Sequence, residues 1–330
     1  VKQQTPELLQ QAKTLLMLPD YFGFRLTGNK LSEYTNGSTT QLVNPDTFQW
    51  DKELIRKLGY PEDIFLPLQM PGTKVGQLLP EIQKEVGFDL EVVLCGSHDT
   101  ASAVMAVPQT EGDGIYISSG TWSLMGIESL KPVITEDAAA ANFTNEGGYD
   151  HRFRFLKNIM GLWMIQSVRH EYNDAYSFAQ LCDMAEESKE FPSRVDVNDQ
   201  SFLSPDSMVE AIRQYCHKTG QPVPESVGEL TSVVYRSLAQ SYGETVRGLE
   251  KIAGKTYDSI HIIGGGSNAA YLNQLTADAT GKTVYAGPGE ATAIGNLLAQ
   301  MIHAGDLADL KSARKCVRES FEIKTFAPAK

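Results

Sequence analysis

An aspartate stands at the junction between an apolar run and an alanine-rich run, in the segment Gly-Ser-His-Asp-Thr at 96–100. Residues 91–95 predict a buried strand and residues 100–106 predict a helix, so a sharp turn brings Asp99 to the start of that helix. In phosphoryl transfer, a carboxylate accepts the proton of the attacking hydroxyl. A carboxylate at this position can also be an ordinary helix cap for free backbone N–H groups, and the local pattern leaves both roles open.

Two glycine-containing turns could hold phosphate groups or a nucleotide. The first, Ser-Ser-Gly-Thr at 118–121, lies between residues 115–118 and 122–127, which predict the two strands of a β-hairpin. Glycine allows an anion to approach the backbone closely, and the Ser and Thr hydroxyls can donate to phosphate oxygens. An ordinary hairpin turn is the alternative, and the segment lacks the spacing of a P-loop.

The second turn, Gly-Gly-Gly-Ser-Asn at 264–268, follows a predicted buried strand at 259–263 and precedes a helix. Each ordered glycine costs conformational entropy, so three in succession indicate that a flat ligand lies against bare backbone. Ser267 or Asn268 could then cap the helix beside a phosphate or a ribose. The alternative is a plain helix-entry turn, and the pattern of dinucleotide-binding folds is not present.

The elements that must position these residues follow from periodicity and from turn residues. The 330 residues suit two domains, and we place the boundary near Val107, with a mixed α/β second domain. Residues 171–224 are polar and predict a helical insert on the surface. The other predicted elements are helices at 6–24, 50–58, 227–252 and 291–304, and strands at 153–156 and 284–286, the latter being the final strand.

Composition and charge exclude several classes of protein. A net charge of −12 repels the backbone of nucleic acids, and no apolar run of about 18 residues offers a membrane span. The four cysteines are scattered, which is typical of free thiols in a cytoplasmic protein, and the histidines show no metal-ligand spacing. We therefore expect a cytoplasmic protein that binds small molecules.

The order of the motifs resembles that of the FGGY carbohydrate kinases. The matching segments are Gly-Ser-His-Asp-Thr at 96–100, Ser-Ser-Gly-Thr-Trp-Ser at 118–123, Gly-Gly-Gly-Ser-Asn at 264–268 and Glu-Ala-Thr-Ala-Ile-Gly at 290–295. The resemblance implies an α/β, ribonuclease-H-like fold of the sugar kinase, Hsp70 and actin superfamily, with the active site between two domains. Residues 16–28, 34–42 and 156–163 resemble the branch of the family that acts on L-rhamnulose.

The resemblance also implies the roles of individual residues. Asp99 matches the catalytic base, and His98 and Thr100 would contact the sugar together with it. The positions that match the ATP site are Thr121, Asn158, Gln166, Gly264, Gly265 and Asn268. The implied cofactors are ATP and Mg²⁺, and no ligand of the metal can be named from the sequence.

The implied reaction is ATP-dependent phosphorylation of a ketose, with L-rhamnulose 1-phosphate as the expected product. Another deoxyketose such as L-fuculose, or a non-catalytic nucleotide-binding role, remains an alternative. The family's Asp-x-Gly-Thr phosphate loop is not found in the sequence. We therefore expect residues 1–106 to be the C-terminal portion of the first domain and residues 107–330 to be the second. The absent N-terminal segment would be a partner, without which this chain could be inactive.

Overall fold

A computed structural model of the chain describes residues 2–110 and 112–329. The first of these ranges contains six helices and six strands, with a further 3-10 turn at Glu62–Ile64. In chain order they are α1 (Pro6–Gln11), α2 (Leu18–Thr27), β1 (Ser32–Glu33), α3 (Tyr34–Ser38), β2 (Val43–Asn44), β3 (Gln49–Trp50), α4 (Lys52–Leu58), β4 (Leu68–Gln69), β5 (Lys74–Gln77), α5 (Pro80–Val86), β6 (Glu91–Val93) and α6 (Asp99–Met105).

The strands of this first range form three two-stranded sheets, with β1 beside β4, β2 beside β3 and β5 beside β6. The strand predicted at 91–95 forms as β6, and the residues of β6 are half-buried. The expectation that this strand is buried was wrong, because among residues 2–110 and 112–329 it pairs with β5 alone, in a sheet of two strands.

The prediction of a single helix over residues 6–24 was also wrong. The chain forms α1 and α2, separated by a non-helical stretch, and a proline stands in the first turn of α2. Pro19 has no N–H to donate to the preceding turn, so a continuous helix cannot pass through it. Helix α4 ends at Leu58 as predicted, whereas α2 continues to Thr27, beyond the predicted end at residue 24. Each is followed by a glycine in the left-handed conformation, Gly28 at φ 77° and Gly59 at φ 72°.

The second range contains seven further strands and eight further helices, with 3-10 turns at Gln200–Phe202 and Gly265–Asn268. In chain order they are β7 (Ile115–Ser119), β8 (Trp122–Ser129), α7 (Glu136–Ala140), β9 (Thr144–Gly147), β10 (Phe153–Met160), α8 (Trp163–Glu171), α9 (Phe178–Glu187), α10 (Met208–Lys218), α11 (Val227–Ala253), β11 (Ser259–Ile263), α12 (Ala270–Thr280), β12 (Thr283–Ala286), α13 (Ala291–Ala304), α14 (Leu310–Ser320) and β13 (Lys324–Phe326).

All seven strands of this range belong to one mixed sheet, in the order β13-β12-β11-β7-β8-β10-β9. Strand β11 is parallel to both β7 and β12, and the other pairs are antiparallel. The predicted hairpin and the predicted mixed α/β character are confirmed. The strand predicted at 284–286 forms as β12 but is not the last, because β13 follows it at the edge of the sheet.

One face of the sheet carries the main core, which is built around α11. Polar residues 171–224 were expected to form a surface insert, but this expectation was only partly right. Helices α9 and α10 turn apolar faces inward, and Leu181, Phe202, Ile212 and Cys216 are fully or almost fully buried. Helix α9 packs beside α11, which has few exposed positions of its own, and α10 packs against α8.

The opposite face of the sheet is covered by α6, α13 and α14. Helices α6 and α13 cross in close contact, since a Cβ atom added at Gly295 would lie only 1.8 Å from the main-chain oxygen of Ser102. Buried Val104 of α6 also packs against this face. The helix that begins with Asp99 is therefore held rigidly against the seven-stranded sheet.

Candidate active site

A cavity of about 610 Å³ opens where four structural elements meet: the start of α6, the β7–β8 turn, the glycine bend after β11 and the start of α13. Seven of the residues predicted from the sequence line it, namely His98, Asp99, Thr100, Thr121, Asn158, Gly264 and Gly265. The other two lie beside it. Gln166 Oε1 is 3.5 Å from the Thr121 hydroxyl, and Asn268 Nδ2 lies 3.4 Å from the Cβ position of Gly289, which lines the cavity.

The carboxylate of Asp99 is exposed at the mouth of α6. Its Oδ1 atom accepts hydrogen bonds from the main-chain N–H and the hydroxyl of Thr100, at 2.6 and 3.2 Å. Within the described residues, Oδ2 accepts no hydrogen bond from the protein. Asp99 is the first residue of the helix, so the cap position belongs to His98, whose side chain makes no capping bond. The carboxylate is therefore open to a ligand.

His98 is fixed by two charged residues that the sequence analysis did not single out. Arg154 Nη2 lies 3.1 Å from His98 Nδ1 and 3.1 Å from Glu146 Oε2. Arginine can only donate, so Nδ1 accepts and the imidazole proton is on Nε2. Burial, followed by the charge of Arg154, lowers the pKa of His98, while Glu146 and Asp99 act in the opposite direction. His98 is therefore a neutral N–H donor at the cavity.

Arg154 and Glu146 are direct cross-strand partners on β10 and β9. Arg154 is completely buried, and its Nε also donates to the main-chain oxygen of Gly147 at 3.0 Å. The signal in the sequence was the arginine between Phe153 and Phe155, because a charge inside an apolar strand requires a buried partner. Nothing in the linear sequence, however, identified His98 as its neighbour.

The β7–β8 turn is held in place by the segment that follows β10. The N–H groups of Leu162 and Trp163 donate to the main-chain oxygens of Gly120 and Thr121, at 3.0 and 3.1 Å. Gly161 permits this approach, since a Cβ atom there would lie 2.6 Å from the carbonyl carbon of Trp122. The turn therefore presents the exposed hydroxyl of Thr121 from a rigid backbone.

The three glycines after β11 have two different reasons to be glycine. Gly264 has φ 84°, and added Cβ atoms at Gly264 and Gly266 would lie 3.0 and 1.9 Å from atoms of Ser119. These two therefore allow the bend to pack against the β7–β8 turn. A Cβ atom at Gly265 meets nothing within 4 Å. Gly265 is consequently the glycine whose bare backbone faces open space in the cavity.

The cavity also includes Gly289, Glu290 and Thr292 at the start of α13. Glu290 and Thr292 belong to the motif at 290–295, and Gly289 immediately precedes it. The Thr292 hydroxyl lies 3.4 Å from the main-chain oxygen of Asp99. Together, the cavity offers the open carboxylate of Asp99, the carboxylates of Glu146 and Glu290, one neutral imidazole N–H, and hydroxyl and amide donors. Such a set can accept a proton on one side and stabilise developing negative charge on the other.

No group of three or more His, Cys, Asp and Glu residues that could hold a metal ion occurs in ranges 2–110 and 112–329. Within the same ranges, no helix has the length and apolar character that a membrane crossing requires.

Both parts of the chain match models of one family. Residues 1–106 match the N-terminal domain of the FGGY family of carbohydrate kinases, and residues 115–304 match its C-terminal domain. The chain therefore belongs to the FGGY family of carbohydrate kinases. The resemblance drawn from the order of the motifs is confirmed.

Relatives of known name cover the chain from end to end. The rhamnulokinase of Halalkalibacterium halodurans is 51% identical over 100% of this chain and 70% of its own length. That of Oceanobacillus iheyensis is 49% identical over 99% of this chain and 69% of its own length. The rhamnulokinase of Bacillus subtilis is 46% identical over 98% of this chain and 67% of its own length.

Solved structures of more distant sugar kinases share the fold. Ligand-bound xylulose kinase from Lactobacillus acidophilus superposes with a TM-score of 0.75 at 16% identity, covering 99% of this chain and 66% of its own. Glycerol kinase from Plasmodium falciparum with ADP superposes with a TM-score of 0.74 at 16% identity, covering 99% of this chain and 66% of its own. The ribonuclease-H-like α/β class is thereby confirmed.

Proposed function

We propose that this protein transfers the γ-phosphoryl group of ATP to L-rhamnulose and forms L-rhamnulose 1-phosphate. The observation that carries the proposal is the open carboxylate of Asp99, which shares one cavity with the Thr121 turn and with Gly265. The rhamnulokinases that are 46–51% identical to the chain support the choice of sugar.

The chemistry follows from the two sides of the cavity. Asp99 accepts the proton of the sugar's primary hydroxyl, and that oxygen forms a bond to the γ-phosphorus. The bond from the γ-phosphorus to the bridging oxygen breaks, and ADP leaves. Donors at Thr121 and the neighbouring backbone stabilise the negative charge that develops on the transferred group.

The remaining predicted residues take supporting roles in this proposal. His98 donates its Nε2 proton to an oxygen of the sugar, and Thr100 lies on the same side. Asn158, Gln166, Gly264, Gly265 and Asn268 are assigned to ATP. Residues 1–106 accordingly supply the sugar side and residues 107–330 the nucleotide side. Because the donor is ATP, we place the protein in the cytoplasm.

Mg²⁺ belongs to this reaction as the partner of the nucleotide phosphates. The described residues offer no metal cluster of their own. An ion held by phosphate oxygens, water and one or two carboxylates, as is usual for Mg²⁺ in kinases, needs no such cluster. The ion would neutralise phosphate charge when bound.

The test is ADP release by the protein with L-rhamnulose, L-fuculose and L-xylulose offered in turn. We expect sugar-dependent release with L-rhamnulose, and its loss in Asp99→Asn with ATP binding retained. Asp89→Asn, which changes an exposed aspartate, is the control and should stay active. A preference for L-fuculose would change the assigned substrate to that sugar. ATP hydrolysis that proceeds at the same rate with every sugar would contradict the kinase proposal.

A further inference from the structure

The carboxylate of Glu33 is completely buried and accepts hydrogen bonds from two distant parts of the chain. Within its own turn, Oε1 accepts from Thr35 N at 2.7 Å, and Oε2 accepts from Thr35 Oγ1 at 2.6 Å and from Asn36 N at 3.0 Å. From 64 residues further along, Ser97 donates both its N–H and its hydroxyl to Oε2, at 3.2 and 2.6 Å. One side chain thus joins α3 to the loop before Asp99.

Thr35 extends this connection by one residue. Its hydroxyl donates to Glu33 and at the same time accepts from the main-chain N–H of His98 at 3.2 Å. Two consecutive backbone N–H groups, those of Ser97 and His98, are therefore anchored immediately before Asp99. On the other side of the loop, the hydroxyl of Ser102 donates to the main-chain oxygen of Gly96 at 2.7 Å.

A helix cap alone does not explain this arrangement. Capping α3 needs only the bonds from Thr35 and Asn36, whereas burial of a carboxylate is costly unless several donors compensate for it. Burial is the largest influence on Glu33 and raises its pKa, while the bonds from Ser97, Thr35 and Asn36 lower it. All the groups around Oε2 are hydrogen-bond donors, so the side chain at this position must accept. An ionised carboxylate fits because it accepts hydrogen bonds and donates none.

We propose that Glu33 is a positioning residue for phosphoryl transfer, which fixes through Ser97 and Thr35 the main chain from which the Asp99 carboxylate projects. The inference rests on the proposed function of Asp99 as the base. Glu33 itself contacts neither the sugar nor ATP in this assignment. Its effect belongs to the geometry of the base, so it changes kcat rather than the affinity for ATP.

The first test is Glu33→Gln, which keeps the shape of the side chain. In one orientation the amide nitrogen replaces Oε2 and faces the N–H groups of Ser97 and Asn36, and in the other it replaces Oε1 and faces the N–H of Thr35. Either orientation therefore sets two donors against each other and weakens the network that anchors the loop. We expect kcat to fall about 100-fold, as for a base displaced by roughly 1 Å, with KM for ATP unchanged. Glu62→Gln, which alters a surface carboxylate paired with Arg56, should leave both values as they are.

A second pair of variants guards against misfolding of Glu33→Gln. Thr35→Val removes the hydroxyl that links His98 to Glu33 but leaves the bonds to Ser97, and Thr35→Ser keeps a hydroxyl. We expect kcat to fall about tenfold in the Val variant, the value of one ordinary hydrogen bond. The Ser variant should recover most of this loss. Full kcat in both Glu33→Gln and Thr35→Val would overturn the proposal.

Amide hydrogen exchange over residues 95–100 separates this inference from the proposed function. We expect faster exchange there in Glu33→Gln than in the parent protein, with the exchange of α11 unchanged. If the parent protein shows no sugar-dependent ADP release, the proposed function fails, but the exchange result still stands for the loop. Unchanged exchange over 95–100 would overturn the role of Glu33 whichever sugar is phosphorylated.

Discussion

Arg154 Nη2 lies 3.1 Å from Nδ1 of His98, and this contact determines which proton the imidazole carries. An arginine has no lone pair to offer, so Nδ1 must be the acceptor and Nε2 must hold the proton. His98 consequently acts as a neutral donor beside the proposed base. The pair also ties the loop before α6 to strand β10 of the large sheet.

The first prediction concerns this tautomer. Nitrogen NMR of the His98 ring should show the Nε2–H form near neutral pH, and a pKa below the ordinary value because of burial and Arg154. Glu146→Gln should lower the pKa of His98 further, since the carboxylate of Glu146 favours the charged imidazole. A ring protonated on Nδ1 near neutral pH would be incompatible with the contact to Arg154.

The second prediction tests the crossing of α6 and α13. Gly295→Ala places a methyl group 1.8 Å from the main-chain oxygen of Ser102, so the helices must separate. We expect a loss of about 1–3 kcal/mol in the free energy of unfolding, typical of overpacking, measured by urea titration. The kcat value should fall as well, because α6 carries Asp99.

Gly248→Ala is the matched control for the helix crossing. Gly248 is also helical, but an added Cβ meets only a ring carbon of Phe143, at an ordinary 3.8 Å. This variant should be as stable as the parent or gain up to about 1 kcal/mol, because alanine favours a helix over glycine. Equal stability of the Gly295 and Gly248 variants would show that the close crossing does not matter.

The third prediction separates the glycines of the bend after β11. Gly265→Ala adds a methyl group in open space of the cavity, so KM for ATP should rise about tenfold, equivalent to about 1.4 kcal/mol, with the melting temperature unchanged. Gly266→Ala places its methyl group 1.9 Å from Ser119 Oγ, so it should lower the melting temperature. The reverse pattern would remove Gly265 from the ATP site.

The fourth prediction concerns the pH dependence of stability. Asp20 is 3% exposed, and burial followed by the charge of Glu33 raises its pKa from 3.8 to about 6. A carboxyl whose pKa is raised by folding stabilises the protein fully below its unfolded pKa, and this contribution is lost as pH rises through 6. Between pH 4 and pH 7 the loss should approach about 3 kcal/mol.

Asp20→Asn measures this effect, because asparagine does not titrate. Urea unfolding at several pH values should show the stability of the variant, relative to the parent, improving by up to about 3 kcal/mol as pH rises from 4 to 7. Asp89→Asn, at an exposed position, serves as the control and should follow the parent. Parallel curves for Asp20→Asn and the parent would show that Asp20 does not titrate in this range.

The sequence predicted the helices and strands whose bounds depend on residues close to each other in the chain. The hairpin around Gly120, the long helix α11 and helix α13 have nearly the predicted bounds, because turn residues and apolar periodicity act over a few neighbouring positions. Pro19, in the first turn of α2, is the local signal against the single helix predicted at 6–24. The burial of α9 and α10 could not be predicted in this way, since it depends on α11 as the neighbour of α9 and on α8 as the neighbour of α10.

The sequence by itself determined the family, through the order of its motifs, and it named Asp99 and six other residues that line the cavity. Only the tertiary structure decided how Asp99 is held, because its supports are far away in the chain. Glu33 reaches Ser97 across 64 positions, and Arg154 reaches His98 across 56. The periodic pattern of apolar residues indicates the local conformation of neighbouring residues. A hydrogen bond between side chains far apart in the sequence forms only when the packed backbone brings them within about 3 Å of each other.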